Sequence, residues 1–328
     1  MTEMRGDYEV IAIGLAAVDV LVRLPVVVAH DSKQFVDDLI IQGGAPVGSG
    51  AAGVAMLGYR TAYVGRMGAN TLSEIALEQF RRYGVATGLV VRDADSRPAI
   101  ALVEIDPRTA ARTVYVNLDN YGYLRDGDLP VETLRRAHVL WVDSYDLDAT
   151  EAALRAVRGS GCRTMLDFEY GDPERLRRLI GMGSDVVLPL EAASRLADRD
   201  DPEAVLREIC AWTDGEVVVT DGARGSWALI GGRLHHQPAF TVPELVDSTG
   251  CGDAFHAGCV AGIIEGWPLP LRMEFGTLLA ARVLTRVGGR TALPPRREIA
   301  ALSREGVSAE LSAALAAMAT DARADSTL

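Results

Sequence analysis

The chain has 328 residues, 48% hydrophobic and 24% charged, a composition ample for a substantial globular core. Its net charge of −12 contains no basic cluster, which argues against nucleic acid or an anionic membrane surface as the main partner. Cys162, Cys210, Cys251 and Cys259 form no C-x-x-C, so neither a zinc site nor a disulfide framework is expected, and Lys33, the only lysine, excludes a phosphate loop of the G-x-x-x-x-G-K-[ST] type.

At the start, Glu3, Arg5, Asp7 and Glu9 interrupt any early apolar run, so no signal peptide is expected and the predicted location is the cytoplasm. Residues 10–13 form a β-branched run ending at Gly14 and predict a buried first strand, with Asp19 just past it at the carboxyl end. Residues 20–42 alternate loosely and predict short strands. Gly43-Gly44-Ala45-Pro46 breaks the chain and opens a small-residue helix that Gly58 stops. Residues 62–64 predict a strand, 73–82 a helix, and 100–105 with 113–117 a strand pair joined by a turn at Asp106-Pro107-Arg108.

Strands at 139–142, 164–166, 186–188 and 217–219 then alternate with helices at 150–159, 173–180 and 202–212. That alternation predicts an α/β fold with a mostly parallel sheet and helices on both faces. Helices at 254–265, 271–285 and 308–319 close the chain, followed by a polar tail at 321–328 expected to fray. The apolar run at 254–264 is too short to span a bilayer.

The most informative stretch is Asp247-Ser248-Thr249-Gly250-Cys251-Gly252-Asp253, which runs directly into the apolar helix. Glycines let the backbone turn tightly and aim several N–H groups at one point, and the helix start adds its own open N–H groups and positive dipole end. Such a place binds phosphate or another anion. An acid at its mouth makes sense as a base that takes a proton from a hydroxyl attacking that phosphate. The plainer alternative is that Asp253 caps the helix. The helix start is expected to favour its ionised form.

At these residues the chain resembles the ribokinase-like (PfkB-type) carbohydrate kinase family, whose C-terminal signature is D-[ST]-x-G-[AC]-G-D. The resemblance implies a ribokinase-like three-layer fold: one domain over 1–328, with a small β-lid formed by about 20–42 and 97–118. It implies Asp253 as catalytic base and Gly250, Cys251 and Gly252 as the backbone anion hole. Asp19, Gly43, Gly44, Ser49 and Arg112 fall at positions for the sugar. Thr220, Gly222 and Gly225 match the family's T-x-G-x-x-G nucleotide loop, with Arg224 as a source of charge. Asp247 and Thr249, with Gly288-Gly289, match a monovalent-cation site.

The implied activity is transfer of the ATP γ-phosphoryl group to a hydroxyl of a small sugar, with Mg²⁺ and in many relatives K⁺, by a homodimer joined through the lid. Three departures stand out. Gly48 and Ser49 replace the usual Asn, Ala69-Asn70 replaces paired acids, and Leu190 and Ala193 replace the N-x-x-E tied to magnesium, leaving Glu191 as the polar group. The segments Val142-Asp143-Ser144, Met165-Leu166-Asp167-Phe168-Glu169 and Asp253-Ala254-Phe255-His256 look like the ketohexokinase and sulfofructose-kinase branch, favouring a ketose or acid-sugar. The alternatives are a nucleoside kinase of the same fold and a sugar-binding relative that has lost catalysis. A nicotinamide dehydrogenase is disfavoured because the first strand ends in a single Gly14 without G-x-G-x-x-G.

Overall fold

A computed structural model describes residues 7–304 and 306–320; residues 1–6 and the tail at 321–328 lie outside the described residues. The amino-terminal half runs β1 (Val10–Ile13), β2 (Ala17–Arg23), β3 (Leu39–Gly44), α1 (Pro46–Met56), β4 (Thr61–Val64), β5 (Arg66–Met67), α2 (Thr71–Arg82), β6 (Val91–Arg92), β7 (Ala99–Ile105), β8 (Arg112–Asn117) and α3 (Val131–Arg136). There follow β9 (Val139–Asp143), α4 (Leu147–Val157), β10 (Arg163–Asp167), α5 (Pro173–Ile180), β11 (Asp185–Pro189), α6 (Leu190–Ala197), α7 (Pro202–Cys210) and β12 (Glu216–Thr220). The rest is β13 (Ser226–Ile230), β14 (Arg233–Gln237), α8 (Cys251–Ile264), α9 (Leu269–Val283) and α10 (Ala309–Thr320).

The central sheet has the order β14-β13-β12-β11-β10-β9-β1-β4, parallel from β4 to β12 and antiparallel through the β13–β14 hairpin. β1, β4 and β9 are buried at every position, which is why they read as unbroken apolar runs with no alternation. Helices α1, α2, α8, α9 and α10 pack one face, while α3 to α7 pack the other. Helix starts are set by local chemistry: Asp172 and Asp201, each before a proline, cap α5 and α7. Asn70, where paired acids were the pattern, caps α2 by accepting the Ser73 N–H at 3.0 Å.

A second sheet, β3-β2-β7-β8, forms the lid. Its inner side carries Asp19, which lies opposite Gln42 of β3 and Ala101 of β7. Asp19 is therefore the third residue of β2, not a loop acid at the end of β1 as the sequence spacing predicts. On the outer side the register aligns Ile41, Val20, Leu102 and Tyr115 in a row across all four strands. Ile41, Leu102 and Tyr115 are 54%, 42% and 55% exposed, so this row is an apolar face without cover from the chain itself.

Candidate active site

Helix α8 is small and apolar on all sides because it is buried between α1 and α9, touching Gly276 of α9 at Gly258 and Gly53 of α1 at Ala257. Its cap is Gly250, at φ 77, and a Cβ there would lie 2.5 Å from Gly289 Cα. The loop before α8 thus rests backbone to backbone on the 288–289 turn, a fit open only to glycine. Asp247, fully buried, holds the same two segments together. One carboxylate oxygen accepts the Thr249 N–H at 2.8 Å and the other the Gly288 N–H at 2.8 Å. Thr249 Oγ1 is buried beside them without a hydrogen-bond partner.

Gly252 and Asp253 occupy the first turn of α8, where no carbonyl of the helix can accept their N–H groups. These donors and the dipole end suit an anion. The Cys251 N–H donates to the Ser248 carbonyl at 3.4 Å, and burial pushes its thiol up to about 12. Asp253 is not the cap of α8. Nor do its surroundings favour the ionised form that the helix start alone predicts. Burial, then repulsion from Asp167 and Glu169, pushes its pKa well above the ordinary 3.8, against the pull of Arg112 and His256. Desolvation in this buried first turn opposes the ionised form that the helix dipole favours.

The lid reaches this loop through its β7–β8 turn. The Ala110 carbonyl accepts the Ser248 N–H at 3.0 Å, and Arg112 Nη1 donates to the Ser248 carbonyl at 3.1 Å. Arg112, expected beside the sugar, here donates to the loop before α8.

Asp19 sits against the β3–α1 turn so closely that a Cβ on Gly44 would lie 1.9 Å from its carboxylate. Burial pushes its carboxyl up to about 6, opposed by Arg290. Arg290 was missed by sequence reasoning, although a lone arginine after Gly288-Gly289 in a loop of small residues is a usable signal. It is buried beneath the same turn, donating to the Gly44 carbonyl at 3.3 Å and to Ser49 Oγ at 3.4 Å, with Nη1 left without a partner. Burial lowers its pKa to about 10, and Asp19 supports its charge. Ser49 is accordingly not a free hydroxyl for a sugar: it is buried and bonded to Arg290. The Gly43 N–H is likewise taken, by Gln79 Oε1 at 3.3 Å.

Thr220 ends β12, and Gly222 and Gly225, both at positive φ, close a tight turn in which Asp221 N–H donates to the Gly225 carbonyl at 2.8 Å. Arg224 is ion-paired with Asp221, so its charge is not free as predicted. A cavity of about 580 Å³ opens between this turn and α6, lined by Leu190, Glu191, Arg195, Arg199, Asp221 and Arg224.

Residues 42–296 match the pfkB family of carbohydrate kinases. The chain is 29% identical to a fructokinase of Klebsiella pneumoniae, covering 78% of this chain and 90% of that one. It is 24% identical to a 5-dehydro-2-deoxygluconokinase of Geobacillus kaustophilus, over 78% and 83%. Among solved structures it superposes on Arabidopsis thaliana ribokinase complexed with ribose and ATP (TM-score 0.76, 20% identity, 92% of this chain and 99% of that one). Adenosine kinase from Sinorhizobium meliloti follows the same fold (TM-score 0.73, 23% identity, 88% and 98%). With the fold, the open helix start and these relatives in agreement, the chain belongs to the pfkB family of carbohydrate kinases and is a phosphotransferase with an alcohol group as acceptor.

Proposed function

We propose that the enzyme transfers the γ-phosphoryl group of ATP to a terminal hydroxyl of a ketose or an acid-sugar, with Asp253 as the base. The observation that carries this reading is a carboxyl of raised proton affinity in the first turn of α8, beside N–H groups open to an anion. A base whose pKa is raised above the ordinary 3.8 accepts the hydroxyl proton more readily as the bond to phosphorus forms. Gly250, Cys251 and Gly252 set the loop whose N–H groups face the charge gathering on the transferred group. Asp19, ionised, accepts hydrogen bonds from acceptor hydroxyls, with Gly43 and Gly44 as the floor and Ser49 and Arg290 holding that floor from below. Arg112 holds the loop through Ser248. Thr220, Gly222 and Gly225 line the nucleotide. The fructokinase and 5-dehydro-2-deoxygluconokinase relatives support a ketose or acid-sugar over a nucleoside.

Among the described residues no group of three His, Cys, Asp or Glu gathers to hold a metal, in keeping with Leu190 and Ala193 at the N-x-x-E positions. Mg²⁺ enters as part of the MgATP substrate, because the ATP phosphates themselves bind the metal and water fills its remaining positions. Asp247 and Thr249 suit a K⁺ ion: the carboxylate is buried with spare lone pairs, and Thr249 Oγ1 lacks a partner. Such an ion supplies positive charge next to the buried carboxylate and the anion loop.

A panel of ketoses, sugar acids, aldoses and nucleosides, read by ATP consumption, tests the assignment. A ketose or acid-sugar should give the highest specificity constant; adenosine above every sugar would overturn it. The pH dependence is a second test. Asp253 and Asp19 must both be ionised, and both bind protons more readily than an ordinary Asp, Asp19 up to about 6. Activity is therefore present at high pH and lost as pH falls. The acceptor kcat/KM, which reports the free enzyme, should decline as pH falls through about 6, the pKa of Asp19. A profile flat down to about pH 4.5 contradicts these roles.

The outer lid face is the proposed dimer surface, covered by the same row of a second copy. Exposed apolar rows on an open sheet invite such cover. Light scattering should give a dimer for the wild type and a monomer for the Ile41→Asp, Leu102→Asp double variant; a monomeric wild type removes the proposal.

A further inference from the structure

Directly behind the anion loop lies a buried pair of titratable groups that the phosphoryl transfer does not use. His256 stands one helical turn beyond Gly252 on α8, and Asp167 ends β10; each is 3% exposed. Three contacts define the ring. Nδ1 lies 2.8 Å from the Gly252 carbonyl oxygen. Nε2 lies 3.2 Å from the Val187 carbonyl oxygen of β11 and 3.4 Å from Asp167 Oδ1. The Trp141 indole stacks on the other side, with centroids 5.6 Å apart and planes 22° apart.

Both carbonyls are acceptors only, and so is Asp167 when ionised. At 2.8 Å a lone pair on Nδ1 would face the carbonyl lone pair, so Nδ1 carries a proton and donates it to Gly252. A neutral ring then has only a lone pair on Nε2, set against a carbonyl and a carboxylate in a place closed to water. That arrangement leaves buried acceptors facing one another, which is costly. A second proton between ring and acid removes the conflict. It sits either on Nε2, giving an imidazolium and a carboxylate, or on Asp167 Oδ1, pointing at Nε2; in both forms the pair is neutral overall.

We infer that Asp167 and His256 share one proton behind the anion loop, and that His256 is a positioning residue which holds the Gly252–Asp253 peptide through the Gly252 carbonyl. The positioning half rests on the proposed role of residues 250–253; the proton half does not. Burial drives the Asp167 carboxyl up and the His256 ring down, which locates the proton on the acid. The groups facing the pair agree. Asp167 looks onto Glu169 and onto Asp143 of β9, both of which oppose its ionisation. Asp253 looks onto Asp167, Glu169, Arg112 of β8 and His256, and its charge reaches Arg290. A protonated Asp167 therefore spares the base a second close negative charge.

Nitrogen-15 NMR of the histidine-labelled full-length protein reads the proton without reference to activity. The His256 ring should show Nδ1 protonated and should not titrate between about pH 6 and pH 9. A bare Nδ1, or a midpoint near the ordinary 6.5, overturns the shared proton. For the positioning role, His256→Phe keeps the ring and loses the donor. It should lower kcat about tenfold, less than direct removal of an oxyanion donor, and leave the acceptor KM within about threefold. His256→Asn, whose amide reaches the carbonyl one turn back, should recover part of that loss. Equal kcat for His256→Phe and wild type, or no recovery with Asn, overturns the positioning role, and a failure of the kinase reading itself shows separately as an inactive wild type.

Discussion

Asp253→Asn should lower kcat by about 10²–10⁴-fold while the KM values for acceptor and ATP stay within about threefold of wild type. Asn keeps the size and the hydrogen-bonding reach of the side chain but cannot take the acceptor's proton. The helix-cap alternative is weakened by geometry, because Gly250 is the cap of α8 and no side chain caps it. A cap would in any case make the substitution almost silent, since Asn and Asp cap about equally. The raised proton affinity of Asp253 adds a second signature. Removing a carboxyl whose ionised form burial and then nearby acids disfavour relieves the free protein, so the variant should be at least as heat-stable as wild type above the acid limb. A folded variant that keeps more than about a tenth of wild-type kcat excludes the base assignment.

Gly250→Ala should be the most damaging conservative change in the loop. The residue lies at φ 77, and the added Cβ would come within 2.5 Å of Gly289 Cα, a backbone atom that cannot swing aside. Left-handed backbone costs about 1–2 kcal/mol for a non-glycine residue, and overpacking adds about 1–3 kcal/mol. At about 2–4 °C per kcal/mol, the melting temperature should fall by roughly 5–15 °C. Loop displacement of about 1 Å should cut kcat about 10²-fold. Gly266→Ala separates the two causes: its φ is 71 but nothing lies within 4 Å of the new Cβ, so only the backbone strain remains. Equal melting shifts for the two variants would mean that the contact with Gly289 carries no weight.

Local chemistry made much of this legible from sequence. The span 173–180 is α5 to the residue, because a D-P start and a sharp apolar face mark it from both ends. The alternation of buried strands with helices gave the parallel sheet. Several elements were overlooked: the short helix α3, the two-residue strands β5 and β6, helix α6, which fills the segment in which a polar motif was sought, and the β13–β14 hairpin, which announces itself only by Gly231-Gly232, both at positive φ. Arg290 escaped notice for a different reason: its partners Gln42, Gly44 and Ser49 lie more than 240 positions away in the chain. The raised proton affinity of Asp253 escaped the sequence likewise, because it comes first from burial and then from Asp167 and Glu169, groups distant in the chain and not on its own helix.

The bond from Ser248 N–H to the Ala110 carbonyl, with Arg112 on the Ser248 carbonyl, makes the lid turn and the anion loop a single mechanical piece. Movement of the lid cannot leave the loop behind. On the proposed roles, an acceptor that drew the lid inward would move the phosphate loop with it. Thermodynamic linkage then requires reciprocity: whatever factor the acceptor adds to the affinity for ATP, ATP adds to the affinity for the acceptor.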